Sequence, residues 1–240
     1  MNWTDGPLVL GQFVERLHRF GATVIVGGRR EYCHVPNSGR LRELLYPGAK
    51  VALVDHQPKL KIKMTRKTRF ALRLAFYQRR WVCIEANIAP KLLHEGWKKG
   101  LVPGLKPYDQ LQAEVSFSVH TRFDFQARNS QTGEKAWVEV KCATLVDEKG
   151  IGRFPDAPSE RASKHLRELT AQVHRPKTKS FVFFILQNPL GKAMGPQDQR
   201  DPIFGKTLRR AFRRGVILEA FRARVNIKGA SLERRIRVLL

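Results

Sequence analysis

Residues 113–142 read AEVSFSVHTRFDFQARNSQTGEKAWVEVKC. Three short runs in this stretch alternate apolar and polar residues: Val115–Val119, Arg122–Arg128 and Lys135–Cys142. The sequence Ser130-Gln131-Thr132-Gly133 reads as the turn between the second and the third. Side chains on a strand alternate faces, so Glu139 and Lys141 share one face. Val138, Val140 and Cys142 take the other, toward a core. Asp124 stands on the neighbouring run and Glu114 on the one before it. A carboxylate and an ammonium side by side, with a second carboxylate on the next strand, suit a divalent cation and a polarised phosphodiester. They equally suit a cross-strand salt bridge, and these residues alone leave both readings open.

The chain around the stretch is strongly basic. It has 240 residues, 45 lysines and arginines against 21 acids, and a formal net charge of +24. A field of this sign attracts polyanions, with DNA as the expected partner and RNA as the lesser alternative. The charge is uneven. Residues 1–80 hold 16 basic residues against 5 acids, residues 81–202 hold 18 against 14, and residues 203–240 hold 11 against 2. Acids repel a polyanion, so their concentration in the middle calls for a purpose such as metal binding. Cys33, Cys83 and Cys142 are far apart and form no CxxC, as expected for reduced thiols rather than a disulfide or zinc site. There is no Walker loop, and Gly150-Ile151-Gly152 leads into Pro155, which argues against ATP and dinucleotide binding. No apolar leader and no run of about 18 apolar residues is present, so a cytoplasmic, nucleoid-associated protein with no membrane partner is expected. The oligomeric state is left open, a homodimer included.

Residues 8–54 read as short strands: Leu8–Leu10, Phe13–Leu17, Ala22–Val26, Glu31–Val35 and Val51–Val54, with a hairpin signal at Gly27-Gly28. Leu41, Leu44 and Leu45 suggest one helical turn. Between His56 and Ile84 there is no acid. There Lys59–Met64 alternates strictly, and the alternation resumes at Phe70–Phe76. Strands with little helix suggest an OB-like β-barrel, a fold that carries basic, aromatic-bearing faces for nucleic acid. Lys61, Lys63, Arg66, Lys67 and Arg69 are the expected contacts, against the alternative of a solvated lysine face. Residues 1–84 are assigned to this domain and 85–240 to a second.

In the second domain a helix is predicted over Ile88–Lys99, capped by Asn87. Val146–Phe154 reads as a loop. A helix capped by Asp156 runs to about Val173, with Ala162, Leu166, Leu169 and Val173 buried. Arg161 and His165, one turn apart on another side, form a phosphate-facing pair or a solvated face. Ser180–Gln187 is an apolar strand covered on both faces. A loop over 188–201 precedes a helix over Phe204–Arg214, with Leu208 and Phe212 inward. Val216–Val225 is a strand, and the tail is basic.

The order helix, three strands, helix, strand, with Asp on the second strand and Glu-x-Lys on the third, resembles the PD-(D/E)xK nuclease fold. That resemblance implies Asp124 and Glu139 as ligands of Mg²⁺ or Mn²⁺, the Val140 carbonyl as a further oxygen, and Lys141 as the catalytic lysine. Glu114 becomes a candidate for a second metal or a water-holding base. A closer resemblance rests on segments in order along most of the chain. These include Val35-Pro36-Asn37-Ser38-Gly39-Arg40, Glu85-Ala86-Asn87, Ala113-Glu114-Val115, Arg122-Phe123-Asp124-Phe125 and Val138-Glu139-Val140-Lys141. The most specific runs from Phe154-Pro155-Asp156-Ala157 through Glu160-Arg161 to Lys164-His165-Leu166-Arg167-Glu168-Leu169. They are similar to the sugar fermentation stimulation protein A family. Pro158-Ser159, Ala162 and Ser38 depart from that pattern but spare the four site residues. The family likeness implies an α/β (α+β) chain, an N-terminal OB-like barrel followed by a nuclease-like domain with a mixed sheet flanked by helices. It also implies DNA binding and a role in regulating sugar (maltose) utilisation. Two functions are therefore expected in competition: metal-dependent phosphodiester hydrolysis, or DNA binding without cleavage.

Overall fold

A computed structural model describes residues 1–56 and 68–240. Lys61, Lys63, Arg66 and Lys67 lie outside the described residues. Among those described, β1 (Leu8–His18), β2 (Gly21–Val26), β3 (Arg29–His34), β4 (Lys50–Asp55), β5 (Phe70–Tyr77) and β6 (Arg80–Cys83) form one sheet. The two strands predicted over 8–17 are a single strand. Register shifts at Phe13/Glu15 and Arg16/His18 bend it, so that its first half pairs with β4 and its second with β2. Gly27 and Gly28 both have positive φ, which is what a tight β2–β3 hairpin requires. A short parallel pairing of β3 with β5, Cys33↔Phe70 and His34↔Ala71, closes five strands into the expected OB-like barrel. Phe13, Val24, Leu41, Leu53 and Leu72 fill it.

The barrel is fastened to the second domain along β5. Leu72 points into the barrel, while Leu74 packs with the second core. Arg73 does not join a basic face. It is buried, donating to Asp5 at 2.5 Å and to Glu85 at 2.8 Å, because both faces of β5 are covered. Both ends of the barrel segment are also tied down. Trp3 N–H donates to the Lys228 carbonyl, and Asn2 bridges Gly229, so residues 1–3 lie on the second sheet rather than in the barrel. At the other end Cys83 N–H donates to the Gln187 carbonyl, and the Gln187 amide donates back to the carbonyls of Cys83 and Glu85.

The second domain holds α1 (Ile88–Lys98), β7 (Gln110–Ser118), β8 (Thr121–Arg128), β9 (Lys135–Ala143), β10 (Leu145–Val146), β11 (Ile151–Phe154) and α2 (Glu160–Gln172). It continues with β12 (Thr178–Leu186), β13 (Ala193–Pro196), α3 (Pro202–Arg213), β14 (Ile217–Asn226) and β15 (Gly229–Val238). Its strands order as β10-β11-β13-β15-β14-β12-β9-β8-β7, a mixed sheet whose centre, β9-β12-β14, is parallel. The apolar run of β12 is buried on both sides, as its composition predicts. Phe181, Phe183 and Ile185 meet Ile88, Leu92 and Leu93 of α1. Val182, Phe184 and Leu186 meet Leu166 and Leu169 of α2 and Leu208 of α3.

Several local expectations are corrected. The segment read as a loop over 146–154 is a hairpin of β10 and β11, and the loop over 188–201 contains β13. These strands have two to four residues, too few to show a period. The basic tail is β15, whose Ala230, Leu232 and Ile236 are buried around a charged Glu233-Arg234-Arg235 stretch. Ser159 caps α2, its Oγ accepting from Ala162 N–H, while Asp156 is engaged elsewhere. Asn87 makes no side-chain cap bond. Phe212 is 52% exposed rather than inward. Among the described residues no helix is long and apolar enough to cross a membrane.

Candidate functional site

The site forms where two strands part. β8 and β9 pair from Arg128↔Lys135 to Phe125↔Val138 and no further. Beyond that point the N–H of Val140 turns to a side chain: it donates to Asp124 Oδ2 at 2.6 Å. A residue in an antiparallel ladder directs its N–H and C=O to the same edge, so the Val140 carbonyl faces the same gap. Asp124 is thus held in the split by the chain that carries the other acid.

Glu139 and Lys141 share a face of β9, as the alternation predicts. Lys141 Nζ donates to Glu139 Oε1 at 2.5 Å. Glu139 is 5% exposed, and His165 Nδ1 lies 2.7 Å from the same oxygen. An ionised carboxylate only accepts, so the imidazole is the donor. His165 is itself 3% exposed, with its ring edge-on to Phe123. The helix face expected to meet phosphate therefore turns this residue inward, against the metal-ligand candidate. A further bond, Thr121 Oγ1 to Glu168 Oε1 at 2.8 Å, fastens the start of β8 to α2.

The two carboxyls are driven apart electrostatically. Burial pushes Asp124 up to about 7, with the Glu139 charge adding to the rise; the Val140 N–H and Lys141 only partly offset it. Burial alone would raise Glu139 too, but the charges and hydrogen bonds of Lys141 and His165 hold it below the ordinary range. Two acids whose hold on a proton is pushed in opposite directions are the arrangement found where two acids have different tasks.

The remaining candidates fall into three groups. Glu114 is brought close enough for its charge to act on Asp124, yet its side chain is exposed, paired to Arg122 at 2.9 Å, and absent from the cleft wall. Its φ of 56° turns the strand locally, which the alternation could not show. Arg161 lines the cleft. Arg69 is exposed on the barrel surface and forms a two-pronged pair with Asp55, at 3.0 and 2.9 Å.

Asp124, Glu139, Val140 and Lys141 line a cleft of about 290 Å³ between the two domains. Arg19 and Asn37–Gly39 reach it from the barrel, and Asp156 and Arg161 from the sheet domain. Asp156 Oδ2 accepts the Leu41 N–H at 2.7 Å, and Arg200 pairs with both Asp156 and Glu43. This latch across the cleft mouth, and the His165–Glu139 bond, are what sequence reasoning missed. The Phe154-Pro155-Asp156-Ala157 segment was its only visible sign.

The donor set fits a hard divalent cation. Among the described residues no three His, Cys, Asp or Glu side chains converge as a ligand cluster. Two carboxylates and a main-chain carbonyl leave the other positions to water and phosphate, as Mg²⁺ prefers. A part-buried carboxyl raised by desolvation and by a neighbouring carboxylate is the group a cation would relieve.

Two family models match the chain: an SfsA N-terminal OB domain over residues 14–84 and a sugar fermentation stimulation protein RE domain over residues 87–229. A sugar fermentation stimulation protein homolog of Caldanaerobacter subterraneus subsp. tengcongensis is 38% identical over 235 residues, covering 98% of both chains. One from Geobacter sulfurreducens is 35% identical and covers 97% of both. A solved structure of Pyrococcus furiosus SfsA in complex with Ca²⁺ superposes with a TM-score of 0.86 at 25% identity, over 100% of both chains.

Proposed function

The chain belongs to the sugar fermentation stimulation protein family, and from that premise we propose that it is a DNA-binding, divalent-metal-dependent nuclease. The observation that carries this reading is Asp124, a part-buried carboxyl in the cleft wall, fixed in the β8/β9 split by the Val140 N–H and raised to about 7. An acid in such a place costs stability unless a bound cation offsets it, and acids perturbed in this way cluster at functional sites. Asp124, Glu139 and the Val140 carbonyl would hold Mg²⁺ or Mn²⁺, which when bound neutralises charge on a phosphodiester and acidifies water. The relative from Pyrococcus furiosus was solved with Ca²⁺, another oxygen-seeking cation.

The chain's own residues divide the remaining work. His165 and Lys141 orient Glu139. Lys141, with its ammonium beside Glu139 in the cleft wall, orients the attacking water and meets the charge that develops on the phosphate. Arg19 and Arg161 hold the phosphate from opposite walls. The protein acts in the cytoplasm, on DNA of the nucleoid. Incubating duplex, single-stranded DNA and RNA with Mg²⁺ or Mn²⁺ tests this. Asp124→Ala and Glu139→Ala abolish cleavage while leaving binding intact or tighter. Absence of cleavage on every substrate overturns the enzyme reading.

One observation favours a second reading, a non-cleaving DNA-binding regulator of sugar (maltose) metabolism genes. Glu139 Oε1 is already met by Lys141 and His165, so that oxygen is committed to side chains of the protein itself. Under that reading both alanine variants bind DNA and regulate as the wild type does.

A further inference from the structure

The corner joining β1 to β2 shows solvent more aromatic surface than the barrel core has use for. Phe20 is 44% exposed and Tyr32 45%. Phe20 stacks on His34 with ring centroids 6.3 Å apart, and the Tyr32 hydroxyl lies 3.0 Å from His18 Nε2. Gly21 makes room for the second pair: a Cβ there would come within 2.5 Å of both His18 Nε2 and the Tyr32 oxygen. The His18–Tyr32 pair therefore lies over bare backbone, and His34, two residues from Tyr32 on β3, brings the Phe20 pair to the same face.

The corner is joined to the cleft. Arg16 donates to the carbonyls of His18, Arg19, Asn37 and Arg40, stapling the corner to the loop that lines the cleft. Arg19 stands over the Phe20 ring at 5.5 Å and also forms part of the cleft wall. A chain of nucleotides with its phosphate at Arg19 thus has an aromatic surface on one side and Asp124 and Glu139 on the other. Cations serve paired and unpaired strands alike, since both carry phosphates. Exposed rings serve only bases whose faces are free, because a duplex hides those faces in its own stack.

We propose that the Phe20–Tyr32 corner is a stacking platform for unpaired bases, so that the DNA segment reaching the cleft is single-stranded. This rests on the DNA reading above and narrows it to a substrate class: single strands, flaps and frayed ends rather than continuous duplex.

Fluorescence anisotropy in EDTA, which keeps the DNA uncut, separates the two. The probes are a labelled oligo-dT of about 20 nucleotides, a length spanning one barrel site, and a blunt duplex of equal length. The wild type binds the single strand more tightly. Phe20→Ala and Tyr32→Ala each weaken single-strand binding about ten-fold, as loss of one base–aromatic stack does, and change duplex binding less than about two-fold. Phe20→Trp retains single-strand affinity, which separates stacking from damage to the corner. The slope of affinity against salt stays that of the wild type, because no phosphate contact is removed. Equal losses on both probes, or none on the single strand, overturn the platform while leaving DNA binding in place. Failure of the wild type to bind either probe in a salt-dependent way overturns the DNA reading and the platform together.

Discussion

Asp124 carries a cost that can be measured. Its carboxyl is raised to about 7 in the folded protein, against an unfolded value near 3.9. Raising an acid's pKa means the folded state resists ionising it. The stability present below pH ~4 is therefore lost as pH rises through the window from ~4 to ~7. Asp124→Asn removes the ionisation and keeps an oxygen for the Val140 N–H. Urea unfolding in EDTA shows the variant more stable by about 2 kcal/mol at pH 8, discounting the full shift for partial relaxation, and equal to the wild type at pH 4. Mg²⁺ at pH 8 raises the melting temperature of the wild type but not of the variant. His165 gives a different test. As a positioning residue it acts on Glu139, so His165→Ala lowers cleavage about 10–100-fold, as loss of an orienting partner does. DNA affinity in EDTA stays within about two-fold, because a buried imidazole neutralises no phosphate. A drop in affinity matching the drop in rate would restore the phosphate-contact role expected from its helix position.

At the scale of elements, α2 illustrates how local and tertiary signals compete. Ser159 Oγ accepts the Ala162 N–H, and Ser159→Ala destabilises the protein by about 1 kcal/mol in chemical denaturation, the usual worth of a cap. Asp156, the more conspicuous acid after a proline, is claimed by the Leu41 N–H and Arg200 from distant parts of the chain. The alternation of β7, β8 and β9 was legible because period two survives whatever the strands pair with. So were the double burial of β12 and the closure-prone short strands of the barrel. The early end of the β8–β9 ladder was not legible, since it depends on where two strands diverge, and neither was the positive φ at Glu114. His165 escaped for a related reason. Helical period placed it off the main apolar stripe, and only the position of β9 beside α2 makes that second face an interior one. Strands as short as β10 and β13 present no repeat to detect.

For the whole molecule, the latch at the cleft mouth decides how the two domains cooperate. Asp156 and Arg200 join the sheet domain to Leu41 and Glu43 of the barrel. Asp156→Ala removes an acceptor for a buried N–H and a partner for Arg200, and lowers stability by about 1–3 kcal/mol. Cleavage falls further than binding does, because Arg19 and Arg161 on the two walls lose their fixed separation. Measuring both on Asp156→Ala and Arg200→Ala separates this from a local defect: the two variants share one phenotype if the latch acts as a unit.

The ties at Trp3–Lys228 and Cys83–Gln187 have a mechanical meaning. A body held at two points can still swing about the line through them, but a third, extended contact removes that freedom. Leu74 of β5, packed in the core of the sheet domain, is such a contact, and Asp156 with Arg200 adds a fourth at the cleft mouth. The barrel is therefore bolted to the larger sheet rather than hinged on it. The cleft over Asp124 and Glu139 behaves as a slot cut in one block, whose two walls share a single frame.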